Sequence, residues 1–265
     1  MSFLSKHGFQ EHWLDIDPER MTRYETMFQW NPATEHFYAA AEIGEGQAVA
    51  DFGCGPGHAV IEFAKRVGPT GHVHALDINE QFIQRTRSRA ARHGVEKRVT
   101  AHLLEDARLP LPSANLDRVV ARNTIIYVDD PLFTFTEFRR TLRPGGIAHV
   151  IEGDWRLTAV KPVPTHEWQS MIEAASWIWP RPEIGRELYG IARQAGFREV
   201  AIQVLTNPDT TGRLTPMIDT VTDYARSSGM LRFEQIDSVM KQIRKGIEDG
   251  TYLAIVPQFI VTAKA

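Results

Sequence analysis

The sequence predicts an α/β fold built on a doubly wound parallel sheet, and three observations predict it. A short apolar run, Val49-Ala50-Asp51-Phe52, ends at glycines placed at every second position, Gly53, Gly55 and Gly57. Two further strand-like runs end in acids: His72 to Asp77, and Val99 to Leu104 followed by Glu105-Asp106. Helix-compatible stretches separate these runs, the alternation that builds parallel strands joined by crossover helices.

Residues 1–46 read as helical, with Glu19 to Trp30 amphipathic, and precede the first strand. That strand ends in the Asp51-Phe52-Gly53-Cys54-Gly55-Pro56-Gly57 turn, and a helix opens at about Ala59. Glycine allows positive φ and close approach of a ligand to the backbone. The helix behind the turn offers free N–H groups and a partial positive charge to an anion. Such a turn suits a nucleotide-like molecule. The dinucleotide fingerprint wants its third glycine where His58 stands, so Gly57 is one place early for it. A phosphate-binding P-loop fits worse still, since no Gly-Lys-Ser/Thr follows.

Asp77 stands at the end of the second strand, about 20 residues past the turn, where a carboxylate accepts from ribose hydroxyls. Asp106 follows the third strand, at the sheet's carboxyl edge where ligands of open α/β sheets bind, and can accept from an adenine amino group. The fourth strand, Leu116 to Ala121, runs into Arg122-Asn123-Thr124. A helix (about Leu132 to Leu142), Arg143-Pro144-Gly145-Gly146 and a fifth strand (Ile147 to Ile151) follow. Beyond them lie a Trp- and Pro-rich stretch (Asp154 to Arg181), a helix (Glu183 to Gln194) and a strand (Glu199 to Leu205). The stretch Asn207 to Gly250 holds a charged helix from Phe233 to Glu248, and Tyr252 to Ala263 is β-like. Pro257 is awkward inside a central strand, so it sits at a bulge or the strand begins after it.

The pieces D-F-G-C-G-P-G, A-L-D-I, L-E-D-A, L-D-R-V-V-A-R-N and L-R-P-G-G, in this order from about Gln47 to Glu152, resemble the class I S-adenosylmethionine-dependent methyltransferases. Within that family the chain is most similar to small-molecule enzymes of quinone and natural-product biosynthesis. The stretches Pro182 to Arg186 and Ala195 to Phe197 resemble the same group. The resemblance implies a Rossmann-like seven-stranded sheet in the order 3-2-1-4-5-7-6, its last strand antiparallel, with helical lid insertions. It implies one domain over residues 1–265: a cap (1–46), a cofactor-binding core (47–152) and acceptor-covering insertions (153–182 and 207–250).

The family also implies roles. The turn, with Gly53, Cys54, Gly55 and Gly57, faces the methionyl part of S-adenosylmethionine. Asp51 orders the turn or reaches the amino group, and Asp77 accepts from the ribose. Ile78 packs on the adenine, and Asp106 with the backbone of Ala107 holds its amino edge. Backbone carbonyls near Arg122 and Asn123 receive the α-ammonium.

Composition bounds the partners. A net charge of −3 gives no support for a polyanion, so no nucleic-acid partner is expected. The place after strand four reads Arg122-Asn123-Thr124-Ile125, not the Asn/Asp-Pro-Pro-aromatic motif of amino-directed DNA enzymes. The single cysteine, Cys54, excludes an intrachain disulfide and a cysteine metal cluster, and it fits a reducing compartment. No stretch reaches the ~20 apolar residues of a membrane span, and the first thirteen residues do not read as a signal peptide. The expectation is a cytoplasmic monomer or homodimer acting on a small molecule.

The acceptor is chosen by what covers the carboxyl edge. Four of the six tryptophans, Trp155, Trp168, Trp177 and Trp179, fall in the first insertion, and Trp30 and Tyr38 lie in the N-terminal part. Such rings either pack the lid on the core or wall an apolar, aromatic acceptor. Candidates for proton removal are His36, His166, Asp154 and Tyr24, all in covering segments. An electron-rich carbon acceptor needs no strong base. His149, His72 and His74 read as structural, and His58 as a cap or a contact to the cofactor carboxylate. Asp129-Asp130 precede Pro131 as ordinary helix-start acids, so no metal is expected. The rival readings are a nicotinamide-dependent oxidoreductase and a non-catalytic cofactor-binding module.

Overall fold

The structure, a computed structural model, describes residues 12–106 and 108–265. Its frame is a seven-stranded sheet of β1 (Ala48–Phe52), β2 (His72–Asp77), β3 (Val99–Leu103), β4 (Leu116–Arg122), β5 (Leu142–Gly153), β7 (Glu199–Leu205) and β9 (Gln258–Lys264). The spatial order is β3-β2-β1-β4-β5-β9-β7. Counted along the chain within this sheet, that is the expected 3-2-1-4-5-7-6. The first five strands pair in parallel, as with Asp51 beside Ala75 and Val120. β9 runs antiparallel between β5 and β7. Burial on both faces explains why β1 and β4 read as nearly continuous apolar runs.

The helices start where the sequence supplies caps. Asp17 accepts from the amides of Glu19 and Arg20 ahead of Pro18, opening α1 (Pro18–Met27). α2 (His58–Arg66) springs directly from Gly57. Asn79 accepts from Phe82 N–H to start α3 (Glu80–Arg92), and Asp130 accepts from Phe133 N–H ahead of Pro131 to start α4 (Pro131–Thr141). The N-terminal part is less helical than its composition suggests. α1 stops at Met27, not Trp30, and short 3-10 turns at Pro32–Phe37 and Ala39–Ala41 carry the chain to β1. Asn31 is held extended by the proline after it, so the helix cannot continue. Residues 1–11 of the predicted helical cap lie outside the described residues.

Beyond β5 the chain forms a 3-10 turn (Trp155–Leu157), β6 (Ala159–Lys161) and α5 (Thr165–Ala175). α6 (Ile184–Gln194), α7 (Thr215–Ser228) and α8 (Phe233–Glu248) follow, α8 with the bounds read from the sequence. The C-terminal β-like run is two strands. β8 (Leu253–Ile255) pairs with β6 in a separate two-stranded sheet, and β9 begins after Pro257. β5 also begins earlier than Ile147. Leu142 already pairs with Leu116, and residues 143–146 interrupt the register.

One apolar cluster lies between the sheet and α4, α6 and the insertions, with Trp168, Met171, Ile218 and Ile236 among its members. A second lies under α2 and α3. The insertions therefore share the core of the sheet.

Candidate active site

The glycine turn is held from both sides. The amides of Gly53 and Cys54 donate to the carbonyl of Leu76 (2.8 and 3.0 Å). Gly55 N–H donates to Asp77 Oδ2 at 2.8 Å, while Asn79 N–H takes Asp77 Oδ1 at 2.9 Å. Gly53, Gly55 and Gly57 all have positive φ, for different reasons. A Cβ on Gly53 would stand 2.2 Å from Thr124 Oγ1, and one on Gly57 would stand 2.5 Å from Thr86 Oγ1. Those two glycines make room for the protein itself. A Cβ on Gly55 would meet only Phe28, at 3.8 Å, so Gly55 is the open face of the turn.

Two buried acids lie beneath it. Burial pushes Asp51 up to about 7, with the charge of Asp77 adding to it. Burial pushes Asp77 up to about 6 against the pull of its backbone donors. Oδ2 of Asp51 has no hydrogen-bond partner among the described residues. Across the sheet edge, Asn123 takes positive φ (52°) and its N–H donates to Ile151 O. The turn it makes is held by Glu152, whose Oε1 accepts from Thr124 N–H at 2.7 Å and from Ile125 N–H. Burial pushes Glu152 up to about 8.

The other predicted cofactor residues fall around this edge. Ile78 is 37% exposed beside Asp77. Asp106 is exposed, its Oδ1 accepting from Arg108 N–H, and Ala107 lies outside the described residues. Cys54 is buried against Thr86, and burial raises its thiol well above the ordinary range. Arg122 turns its side chain away, onto the rings of Phe37 and Tyr38.

A cluster of rings from four parts of the chain reaches the turn through Phe28, the side chain that a Cβ on Gly55 would meet. Tyr24 stacks between Trp13 and Phe28, with centroids 5.2 and 5.6 Å away. Trp13 meets Tyr127 at 4.8 Å, and Trp179 Nε1 donates to the Tyr127 hydroxyl. Trp155 stacks flat on Trp179 at 4.5 Å, and Tyr224 lies edge-on to Trp177 and Trp179.

A methyltransferase domain family matches residues 43–196, more than half of the chain. The chain belongs to the methyltransferase domain family. Its sheet order and glycine turn place it in class I, the S-adenosylmethionine-dependent group. Among curated proteins, this methyltransferase is 36% identical over 115 residues to the ubiquinone/menaquinone biosynthesis C-methyltransferase UbiE of Cupriavidus metallidurans (43% of this chain, 46% of that protein). It is 31% identical over 113 residues to the methyltransferase GfsG of Streptomyces halstedii (43% and 40%). It is 32% identical over 105 residues to the biotin biosynthesis bifunctional protein BioHC of Teredinibacter turnerae (38% and 18%). The chain thus spans less than half the length of each of these relatives. Among solved structures, YcgJ of Bacillus subtilis superposes with a TM-score of 0.63 at 15% identity, over 88% of this chain and 97% of that one. That likeness concerns the fold.

The residues expected from the sequence on the acceptor side part company. Tyr24 is in the ring cluster. Asp154 is fully buried, gripped by Arg186 at 2.6 and 2.8 Å, and caps the Trp155–Leu157 turn. Its carboxylate is already committed to structure. His36 and His166 are exposed, and His36 packs on its neighbour Phe37. Of the aromatic residues, Trp168 is core, its Nε1 donating to Thr158. Trp30 and Tyr38 stack on each other against Phe63. His149 is buried between Thr262 and the Phe37 carbonyl, and His58 pairs with Glu25. Glu152, Trp13, Tyr127, Tyr224 and His12 carry no local sequence signal that marks them for this edge.

Proposed function

We propose that the protein transfers a methyl group from S-adenosylmethionine to a small, planar, apolar or aromatic metabolite, at carbon or oxygen, with nitrogen as the remaining alternative. The observation that carries this reading is the ring cluster of Trp13, Tyr24, Tyr127, Trp179 and Tyr224, joined to the open face of the glycine turn through Phe28. Planar rings supply rigid apolar area and stack on planar ligands. The curated relative named for ubiquinone/menaquinone C-methylation supports the same class of acceptor.

The residues fit the cofactor. The partnerless, buried Oδ2 of Asp51 is an acceptor awaiting a donor, and the cofactor's ammonium is a donor of the right charge. Asp77 and the open side of Gly55 would hold the ribose and the chain next to it, with Ile78 and Asp106 toward the adenine. The Glu152-held turn at Asn123 would present its carbonyls to the ammonium from the other side. When bound, S-adenosylmethionine supplies an activated methyl on a sulfonium. The protein's part is to align the acceptor and exclude water. Tyr24 and the cluster do this, with the cap, core and two insertions working as one unit. His36, His166 and Asp154 are not where that work is done. Arg186 already occupies Asp154.

The test is an S-adenosylhomocysteine-release assay of the purified protein against a panel of hydroxylated and unsubstituted ring compounds. Release with ring compounds and not with sugars or aliphatic amines is the expected result. Release confined to amines or sugars would refute the reading.

A further inference from the structure

At one edge of the ring cluster is a partly open cavity of about 140 Å³. It lies between α1, the Trp177 segment and α7, and three polar atoms meet at its wall. His12 Nε2 is 3.1 Å from the Tyr24 hydroxyl and 3.3 Å from the Tyr224 hydroxyl, and the two hydroxyls are 3.4 Å apart. The other ring nitrogen, Nδ1, faces Arg20 Nη1 at 2.8 Å. A guanidinium only donates, so Nδ1 must accept, and the imidazole proton is on Nε2. Burial, with the charges of Arg20 and Arg23, lowers His12 to about 4, which keeps the ring neutral.

The triangle is therefore one fixed N–H donor and two rotatable hydroxyls. Its longest side is the contact between the two hydroxyls. Ordinary O–H···O contacts centre near 2.7–2.8 Å, and the tyrosine pair is at 3.4 Å. An oxygen atom of a ligand at the triangle would take a hydroxyl donor from the long tyrosine pair and form a bond of ordinary length. Trp177 walls it edge-on to both His12 and Tyr224, and Arg20, Arg23, Thr220, Asp223 and Ser227 complete the lining.

We propose that His12, Tyr24 and Tyr224 form the polar end of the acceptor pocket and select an acceptor that carries a neutral oxygen, a hydroxyl or a carbonyl, on its ring. Arg20 is a positioning residue that fixes the His12 tautomer. The proposal rests on the reading of the ring cluster as the acceptor site.

The test is equilibrium dialysis of 2-naphthol and of naphthalene, each in the presence of S-adenosylhomocysteine, against the wild-type protein and the Tyr224→Phe and Tyr24→Phe variants. These substitutions keep each ring and its packing and remove one hydroxyl. The wild type is expected to bind 2-naphthol roughly tenfold more tightly than naphthalene, the yield of about 1.4 kcal/mol of hydrogen bonding. That ratio is expected to fall toward one in the variants while naphthalene affinity stays the same. Equal binding of the two compounds by the wild type, or a ratio untouched in both variants, overturns the proposal and leaves the aromatic-acceptor reading standing. Binding of neither compound overturns both.

Discussion

Asp77 Oδ2 accepts the amide of Gly55 at 2.8 Å, tying the end of β2 to the exposed middle of the glycine turn. One carboxylate thus shapes the turn and is the ribose acceptor proposed for the bound state. A hydrogen bond involving a charged group contributes about 1.5–3 kcal/mol. Asp77→Ala is therefore expected to weaken S-adenosylmethionine binding roughly 10- to 100-fold. Equilibrium dialysis with labelled cofactor measures this, and an unchanged affinity removes Asp77 from the site.

The buried acids predict a pH dependence. A carboxyl raised in the fold contributes stability while protonated and loses it as pH rises through its folded value. Asp51 is raised to about 7 and Glu152 to about 8, so the contribution of these two carboxyls to the stability of the free protein is expected to be smaller at about pH 8 than at about pH 5, against the opposite trend of the half-buried histidines. A cationic ligand on Asp51 needs the ionised form, so cofactor affinity is expected to rise across the window in which that contribution falls. Asp51→Asn should flatten the affinity profile and raise the melting temperature of the free protein at the alkaline end. An affinity that is flat with pH in the wild type contradicts the role of Asp51.

The three glycines separate by substitution. Gly53→Ala and Gly57→Ala drive a Cβ against Thr124 and Thr86 in a left-handed conformation, and each is expected to cost about 2–3 kcal/mol of stability. Gly55→Ala has room, so its fold cost is the left-handed strain alone, about 1 kcal/mol. Its larger effect is expected in cofactor affinity. Thermal melting and cofactor binding, measured on all three variants, should rank in opposite orders.

Glu152 predicts a contrast between two substitutions. Gln keeps an oxygen for the amides of Thr124 and Ile125, whereas Ala leaves both donors buried without a partner. Glu152→Ala is expected to destabilise by about 2–4 kcal/mol, and Glu152→Gln by less than about 1 kcal/mol. Equal melting temperatures for the two variants would mean that the turn is held by something else.

The sheet was legible in the sequence because its signals are local. Apolar runs end in Asp51 and Asp77, glycines mark the turn, and Pro257 cannot lie within a central strand. β6 and β8 were not legible, since each is three residues long and exists through a partner far along the chain. Glu152 is hidden at the end of an apolar strand, where only its charge is anomalous. Tyr224 lies on the buried stripe of α7 with Ile218, Val221 and Ala225, and reads as core. His12 and Tyr127 acquire meaning when α1, the edge after β4 and α7 converge. Tyr24 stands out in the sequence as a polar ring in a covering segment, and it lies in the ring cluster. His36 and His166 met the same criterion and lie on the surface.

The most direct test of the central claim is isothermal calorimetry of the purified protein with S-adenosylhomocysteine, and with NADH in parallel. Saturable binding of S-adenosylhomocysteine at one site with micromolar affinity, and no heat with NADH, is the predicted result. Binding of NADH without S-adenosylhomocysteine would contradict it and return the glycine turn to the dinucleotide reading.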